Sequence, residues 1–148
     1  MARFEFRLKA LLLVCEATRT ERRAELAAVL AIESGLQAQR VALEEKLQGQ
    51  LRQSHASMGL VDVSRLRAAA QYAASLRRAI ADVSNQLRQS ALEIERRRQL
   101  VVEADREVRM LVNLRERHYQ NFREQEAATE RKHLDEAAAR TARQRLSA

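Results

Sequence analysis

The side chains able to do chemistry are few and widely spaced. Three histidines, His55, His118 and His133, stand far apart, and the one cysteine is Cys15. A zinc site draws its ligands from Cys and His pairs at short spacing with two further ligands. No such pair occurs, so the histidines read as surface residues and no metal is expected. A lone cysteine forms no intramolecular disulfide, which suits a reducing cytosol, and Cys15 reads as a small apolar residue. Phosphate-cradling loops cluster their glycines, whereas Gly35, Gly49 and Gly59 are isolated, so no cofactor is expected. Carboxylates are abundant, as in Glu44-Glu45 or Glu93 and Glu95. Arginines recur three or four residues away, the pattern of exposed helix pairs. Catalytic carboxylates need a cleft that shifts their acidities. No catalytic residue is assigned, and the chain is expected not to be an enzyme.

Basic residues outnumber acidic ones 27 to 20, for a net charge of +7. That balance favours acidic partners in general: nucleic acid, a membrane surface or an acidic protein face. The longest basic run, Arg96-Arg97-Arg98, is flanked by Glu93, Glu95 and Glu103, which repel phosphate. No aromatic residue for base stacking lies nearby. Nucleic-acid binding is therefore not expected, and the interspersed signs read as solvated helix faces.

The elements that must carry these residues are helical. The chain of 148 residues has no proline and three glycines. Ala, Leu, Arg, Glu and Gln, all good helix formers, fill much of the rest. Aromatics at 3% are too few for an ordinary globular core of this size. The apolar run Ala10 to Cys15 is too short to span a membrane and lacks a cleavage site, so a cytoplasmic location is expected.

In the second half, Leu66, Ala73, Ile80, Leu87, Ile94, Val101 and Val108 recur every seventh residue, and all are apolar. Three residues after each come Ala69, Leu76, Val83, Ser90, Arg97, Ala104 and Leu111. These two rows lie on one edge of a helix and demand a partner helix. The first half carries a weaker version. Its rows are Leu8, Cys15, Arg22, Val29, Leu36, Leu43, Gln50 and Leu12, Arg19, Leu26, Glu33, Arg40, Leu47, Ser54, with charges in the middle. Leu30, Val41 and Leu51 lie one residue off, which allows a local slip of the repeat. Around Gly59 the chain can turn: Gly59 can take the left-handed conformation that ends a helix, and Asp62 or Ser64 can cap the next.

The expected fold is all-α, a long two-helix antiparallel coiled-coil hairpin in one domain, with the second helix extending beyond the first. Helix 1 is expected over about 3–57, the turn at about 58–62, and helix 2 over about 62–142, with an unpaired overhang from about 115. If facing numbers sum to about 120, Leu12 meets Val108, Leu8 meets Leu111, Leu26 meets Ile94 and Leu43 meets Leu76. The same register sets Arg22 near Arg97, which is tolerable where the stems lie along the seam and the heads reach water.

These residues resemble the FliJ family of flagellar export proteins. The opening Phe4-Glu5-Phe6-Arg7-Leu8-Lys9-Ala10-Leu11-Leu12 is similar to the family's amino-terminal pattern. Gly59, Leu66, Tyr72, Leu76 and Ile80 resemble the stretch after its turn. Leu111-Val112-Asn113-Leu114-Arg115-Glu116-Arg117 resembles its Leu-rich segment, and Leu134-Asp135-Glu136 with Arg140 and Arg143 its carboxy-terminal end. The likeness covers nearly the whole chain.

The resemblance implies a stalk of the flagellar type III export apparatus, with the end where the termini converge inserted into a hexameric export ATPase. It implies that the other end contacts the cytoplasmic region of the export-gate membrane protein, and that export chaperones are partners. It implies a cytoplasmic location, peripheral at the inner face of the cell membrane at the flagellar base. Carried over residue by residue, the gate contact comprises Tyr72, Leu76 and Ala79. The ATPase-ring contact comprises Phe4, Phe6, Leu8, Leu11, Tyr119, Phe122 and Leu134. Leu76 also sits on a seam row, where core packing would claim it, and Phe4 and Phe6 can equally seal the open end of the coil. Two alternatives share the hairpin shape or the composition: an injectisome-type secretion stalk, and a generic coiled-coil scaffold that self-associates. A hairpin whose seam is satisfied internally is expected to be a monomer on its own.

Overall fold

The computed structural model describes residues 3–56, 59 and 62–146. Two helices account for nearly all of them: α1 over Lys9–Ala56 and α2 over Val63–Leu146. They pack against each other as a hairpin, with no strand among the described residues. Nothing in either helix interrupts the ladder of backbone bonds. Gly35 and Gly49 lie inside α1 with open space where a Cβ would stand, so neither is required there by a close neighbour.

The helix ends differ from expectation in two places. α1 begins at Lys9 rather than near residue 3; Lys9 N–H donates to Phe6 O at 3.1 Å and Leu12 N–H to Leu8 O at 2.9 Å. No acidic side chain stands in its first turn, so the positive end of the helix dipole there has no compensating charge from its own residues. Gly59 is not left-handed, since no described glycine has positive φ. α1 already ends at Ala56, so Gly59 comes one position too late for the residue that usually adopts that conformation. Residues 58, 60 and 61 of the expected turn, and residue 57 at the expected end of helix 1, lie outside the described residues.

The start of α2 follows its chemistry closely. Of the two candidate caps, Asp62 is the one used. Its Oδ1 accepts from the Ser64 amide at 3.1 Å, and its Oδ2 accepts from the Ser64 hydroxyl at 2.6 Å. Those two bonds hold the Asp62 carboxyl below its ordinary pKa, the hydroxyl contributing most.

The chain divides into two compact units. The turn unit is Thr20–Val102, and the terminal unit is Met1–Arg19 with Glu103–Ala148. In the turn unit the buried side chains are Ala73, Leu76, Val83 and Ile94; in the terminal unit they are Leu12, Ala104, Val108 and Leu111. Every buried residue of α2 is a member of the two heptad rows read from the sequence. The α1 rows are half-buried from Cys15 onward except at Arg40, while Leu30, Val41 and Leu51 are exposed. The repeat in α1 therefore runs without a slip. Leu66, the first member of its row, is 55% exposed. The α1 rows end in Gln50 and Ser54, which offer it no apolar partner.

Within the terminal unit Leu12, Val108 and Leu111 form one cluster, with Cys15 and Val112 packed against it. Leu12 with Val108 is the expected pairing. Leu8, expected opposite Leu111, precedes α1 and is exposed.

The turn unit holds the charge conflict that the register foretold, and resolves it. Glu25 stands between Arg22 and Arg97. Its Oε2 lies 3.1 Å from Arg22 Nη1 and 2.5 Å from Arg97 Nη1. Arg97 Nε in turn donates to Glu93 Oε1 at 2.6 Å. Two cations and two anions thus close a neutral cluster on the seam. The Glu25 pKa is lowered, first by the bond from Arg22, then by that from Arg97. The Arg97 pKa is raised, chiefly by Glu93 and then by Glu25.

Two outcomes follow. Ile94→Ala should lower the unfolding free energy in urea by about 2–5 kcal/mol, the cost of an emptied core site. Leu92→Ala, at a position 76% exposed, should stay within about 0.5 kcal/mol of the parent. Similar losses for both would mean the seam is not the core. For pH, a depressed carboxylate pKa adds stability that is complete above the ordinary glutamate value and disappears as pH falls through the lowered one. Glu25→Gln should therefore melt about 2–4 °C below the parent near neutrality. That gap should close in acid, beneath the ordinary glutamate pKa of about 4.3, and a gap that persists there would exclude ionised Glu25 as its source.

Candidate functional site

The features that point outward gather in two places, one in each unit. In the terminal unit the residues ahead of α1 lie along α2. The Phe4 ring meets Tyr119 edge-on at 5.3 Å and Phe122 at 5.7 Å, and the Phe6 ring meets His118 at 5.9 Å. These rings include every Phe and Tyr of the chain except Tyr72. Going from Phe6 to Phe4 carries the chain from His118 to Phe122, one turn of α2. A helical pair of residues would advance only about 3 Å, whereas an extended pair covers roughly twice that. The residues before α1 thus follow α2 as an extended strap.

That geometry moves the start of the unpaired overhang. It was expected from about residue 115, but Phe4 and Phe6 cover positions 118 to 122, and residues 126 and 127 are still half-buried. From Ala128 to Arg145 every residue is exposed.

Around the strap the surface is open, polar along the strap itself and apolar at the start of α1. An open groove of about 430 Å³ is lined by Arg3, Phe4, Glu5 and Arg7 on one side and His118, Asn121, Phe122 and Gln125 on the other. In the run Ala10 to Cys15 only Leu12 is buried; Leu11, Leu13 and Val14 are 48%, 57% and 61% exposed. A helical stretch that is apolar on all sides asks for cover on all sides. Leu8 and Tyr119 are also exposed. Leu134 is exposed beside Glu130 and His133; twelve residues along the helix from Phe122, it lies about 18 Å away and is not part of the aromatic group.

In the turn unit Tyr72 is 48% exposed, Ala79 is half-buried and Leu76 is 6% exposed. Leu76 therefore serves the seam, and its side chain does not reach the surface. Tyr72 alone of the three presents a large side chain to solvent.

His118 is exposed, as expected of a surface histidine, but sequence reasoning missed that its ring meets Phe6 edge-on. Sequence reasoning also missed Leu13 and Val14, which fall on no row. The absence of charge between Ala10 and Cys15 was the available signal for the latter. Among the described residues no group of three His, Cys, Asp or Glu is placed to hold a metal ion, and no helix is long and apolar enough to cross a membrane.

The family profile of the flagellar FliJ protein matches residues 4–147. The chain belongs to the FliJ family. Neither a curated protein sequence nor a solved structure matches it. The FliJ match begins at Phe4, the first ring of the strap, so the strap lies within the family's pattern. FliJ proteins act in flagellar export as structural and chaperone-escort proteins, not as a family of enzymes.

The strap is held by ring contacts, with a backbone bond from Lys9 N–H to Phe6 O where it meets α1. An aromatic pair contributes about 0.5–1.5 kcal/mol, so two substitutions suffice to free it. Replacing Phe4 and Phe6 together by Ala should speed trypsin cleavage after Arg7 by at least about tenfold. The urea midpoint of the hairpin should move little. Unchanged cleavage would show that the rings do not hold the strap.

Proposed function

We propose that the protein is the coiled-coil stalk of the bacterial flagellar type III export apparatus. On this reading the terminal unit docks in the hexameric export ATPase, the turn unit contacts the cytoplasmic region of the export-gate membrane protein, and the chain assists delivery of export chaperones and their cargo. It works in the cytoplasm, peripheral to the inner face of the cell membrane at the flagellar base, and performs no catalysis.

One observation carries the reading: a flagellar family match from residue 4 to 147 on a hairpin whose terminal unit leaves Leu8, Leu11, Leu13 and Val14 uncovered. Exposed apolar area of this kind marks interaction sites, and its absence of charge suits a snug, desolvated fit. Aromatics are favoured anchors of interfaces, which supports Phe4, Phe6, Tyr119 and Phe122 as ring contacts alongside Leu8, Leu11 and Leu134. For the gate contact the support rests on Tyr72, exposed on α2, with Ala79 beside it; Leu76 contributes by holding the seam beneath them. The basic excess favours a ring lumen of opposite sign and steers docking.

Capture by the cognate export ATPase tests this. The intact chain should bind, and a chain lacking the residues before Leu12 and after Arg117 should bind at least about tenfold more weakly, a loss of about 1.4 kcal/mol or more. Raising salt should weaken the intact complex. Tyr72→Ala should reduce binding to the gate's cytoplasmic region and spare the ATPase. Undiminished ATPase capture after removal of both ends would refute the docking assignment.

A further inference from the structure

The first residues of the chain fit two different structures. In the one observed, residues 3–6 are extended, and Arg7 and Leu8 turn into α1. Phe4 and Phe6 are half-buried against α2 while Arg3, Glu5 and Arg7 are exposed, the alternation of a strand. The other structure is a longer helix. Arg3-Phe4-Glu5-Phe6-Arg7-Leu8 holds neither proline nor glycine, so nothing in it stops a helix. The observed start at Lys9 has no acidic side chain in its first turn. A start near residue 3 would set Glu5 there, where negative charge is favoured.

The heptad spacing gives that longer helix a consistent pattern. Carried back by seven residues, the row of Cys15 reaches Leu8, that of Leu11 reaches Phe4 and that of Leu13 reaches Phe6. Cys15 packs on the cluster of Leu12, Val108 and Leu111, so a helical Leu8 would join the seam, whereas it is now 37% exposed. Leu11 and Leu13 are 48% and 57% exposed. They lie on opposite flanks of α1, about 160° apart, and each phenylalanine would lengthen its own apolar flank. Rings bared to water are costly, and their cover on α2 holds the free chain in the extended form. A partner that encloses Leu11 and Leu13 would enclose the two rings as well, and a ligand shifts an equilibrium by its differential affinity for the two states.

We propose that residues 3–8 are a two-state element: an extended strap in the free chain, and the first turns of α1 once the terminal unit is docked. In the docked state Phe4 and Phe6 leave α2 for the partner, and Tyr119 and Phe122 are uncovered. This rests on the docking of the terminal unit in the export ATPase and adds the conformational step that releases its anchors.

At the register of Leu12 with Val108, a helical Phe4 would stand level with Glu116, whereas the strap sets it at Tyr119 and Phe122. The withdrawal is roughly 5–9 Å along α2. Spin labels at Glu5→Cys and Glu130→Cys, in a full chain carrying Cys15→Ser, should therefore move apart by about that much when the ATPase is added. Glu5 and Asn121 line opposite sides of one groove. Glu5→Cys with Asn121→Cys, joined by a short bismaleimide, should bind the ATPase at least about tenfold more weakly than the same chain capped with N-ethylmaleimide. Without any partner, Phe4→Leu with Phe6→Leu removes the rings, keeps both flanks apolar and favours helix; residues 4–8 should then show helical Cα shifts. Capture with an unchanged distance, equal capture by the cross-linked and capped chains, or extended shifts in the leucine variant would overturn the proposal and leave the docking standing. No capture by any form would refute the docking, and with it the docked state proposed here.

Discussion

Two helices packed side by side have one line of contact, and in this chain that line is the main place where apolar area leaves water. Each helix meets the other along a stripe a few residues wide, so a residue at the centre of the stripe can be buried while its flanks stay wet. The burial pattern follows from this. α2 carries apolar residues down both rows, and seven of its side chains fall into the buried class; α1, whose rows include Arg19, Arg22, Glu33 and Arg40, contributes Leu12 alone. The asymmetry lies in composition rather than geometry. Among the described residues this thin seam buries apolar side chains and no polar or charged one, and the side chains that could meet a partner stand on the outer surfaces.

A regular apolar repeat has a weakness, which is that it matches itself after a shift of one heptad. Slid by seven residues along α2, Glu25 would face Ala104 or Ser90 in place of Arg97, while most apolar partners would find others of similar size. The neutral cluster of Arg22, Glu25, Arg97 and Glu93 is satisfied in one register only. Polar residues on a coiled-coil seam commonly fix register at some cost in stability. Here the cost is small, because the side chains are about one-third exposed and keep part of their hydration. The charged middle of α1 thus selects among alignments that the leucines and valines leave nearly equal.

How much of this was legible depended on whether the signal was periodic. Heptad spacing picked out every buried residue of α2 and paired Leu12 with Val108, because a row of sevens encodes a helix face directly. It also set Arg22 against Arg97, though not Glu25 between them; an i,i+3 neighbour is visible in the sequence, but its reach across the seam is not. The aromatic strap was illegible for a related reason. Phe4 and Phe6 alternate, which is an extended pattern, yet they adjoin a leucine-rich run that reads as helix, and the boundary at Lys9 has no capping side chain to announce it. Gly59 misled because composition shows where a chain can turn and not which residue follows the last helical one. Leu76 shows the opposite case, a residue claimed both by the seam and by the family's contact surface, which burial assigned to the seam.

Where contacts form then becomes a question of which side chains are left unsatisfied. Much of the hairpin's flank carries charges paired one turn apart, such as Arg40 with Glu44, Arg98 with Glu95 and Arg140 with Glu136. Exposed pairs of this kind contribute little to stability and offer a partner little net charge. The flank is therefore soluble and indifferent. Each unit breaks that pattern with apolar side chains: the terminal unit with uncovered Leu11, Leu13 and Val14 near an aromatic strap, the turn unit with exposed Val63 and Tyr72. An apolar surface favours a shaped, dry socket, since its gain scales with area removed from water.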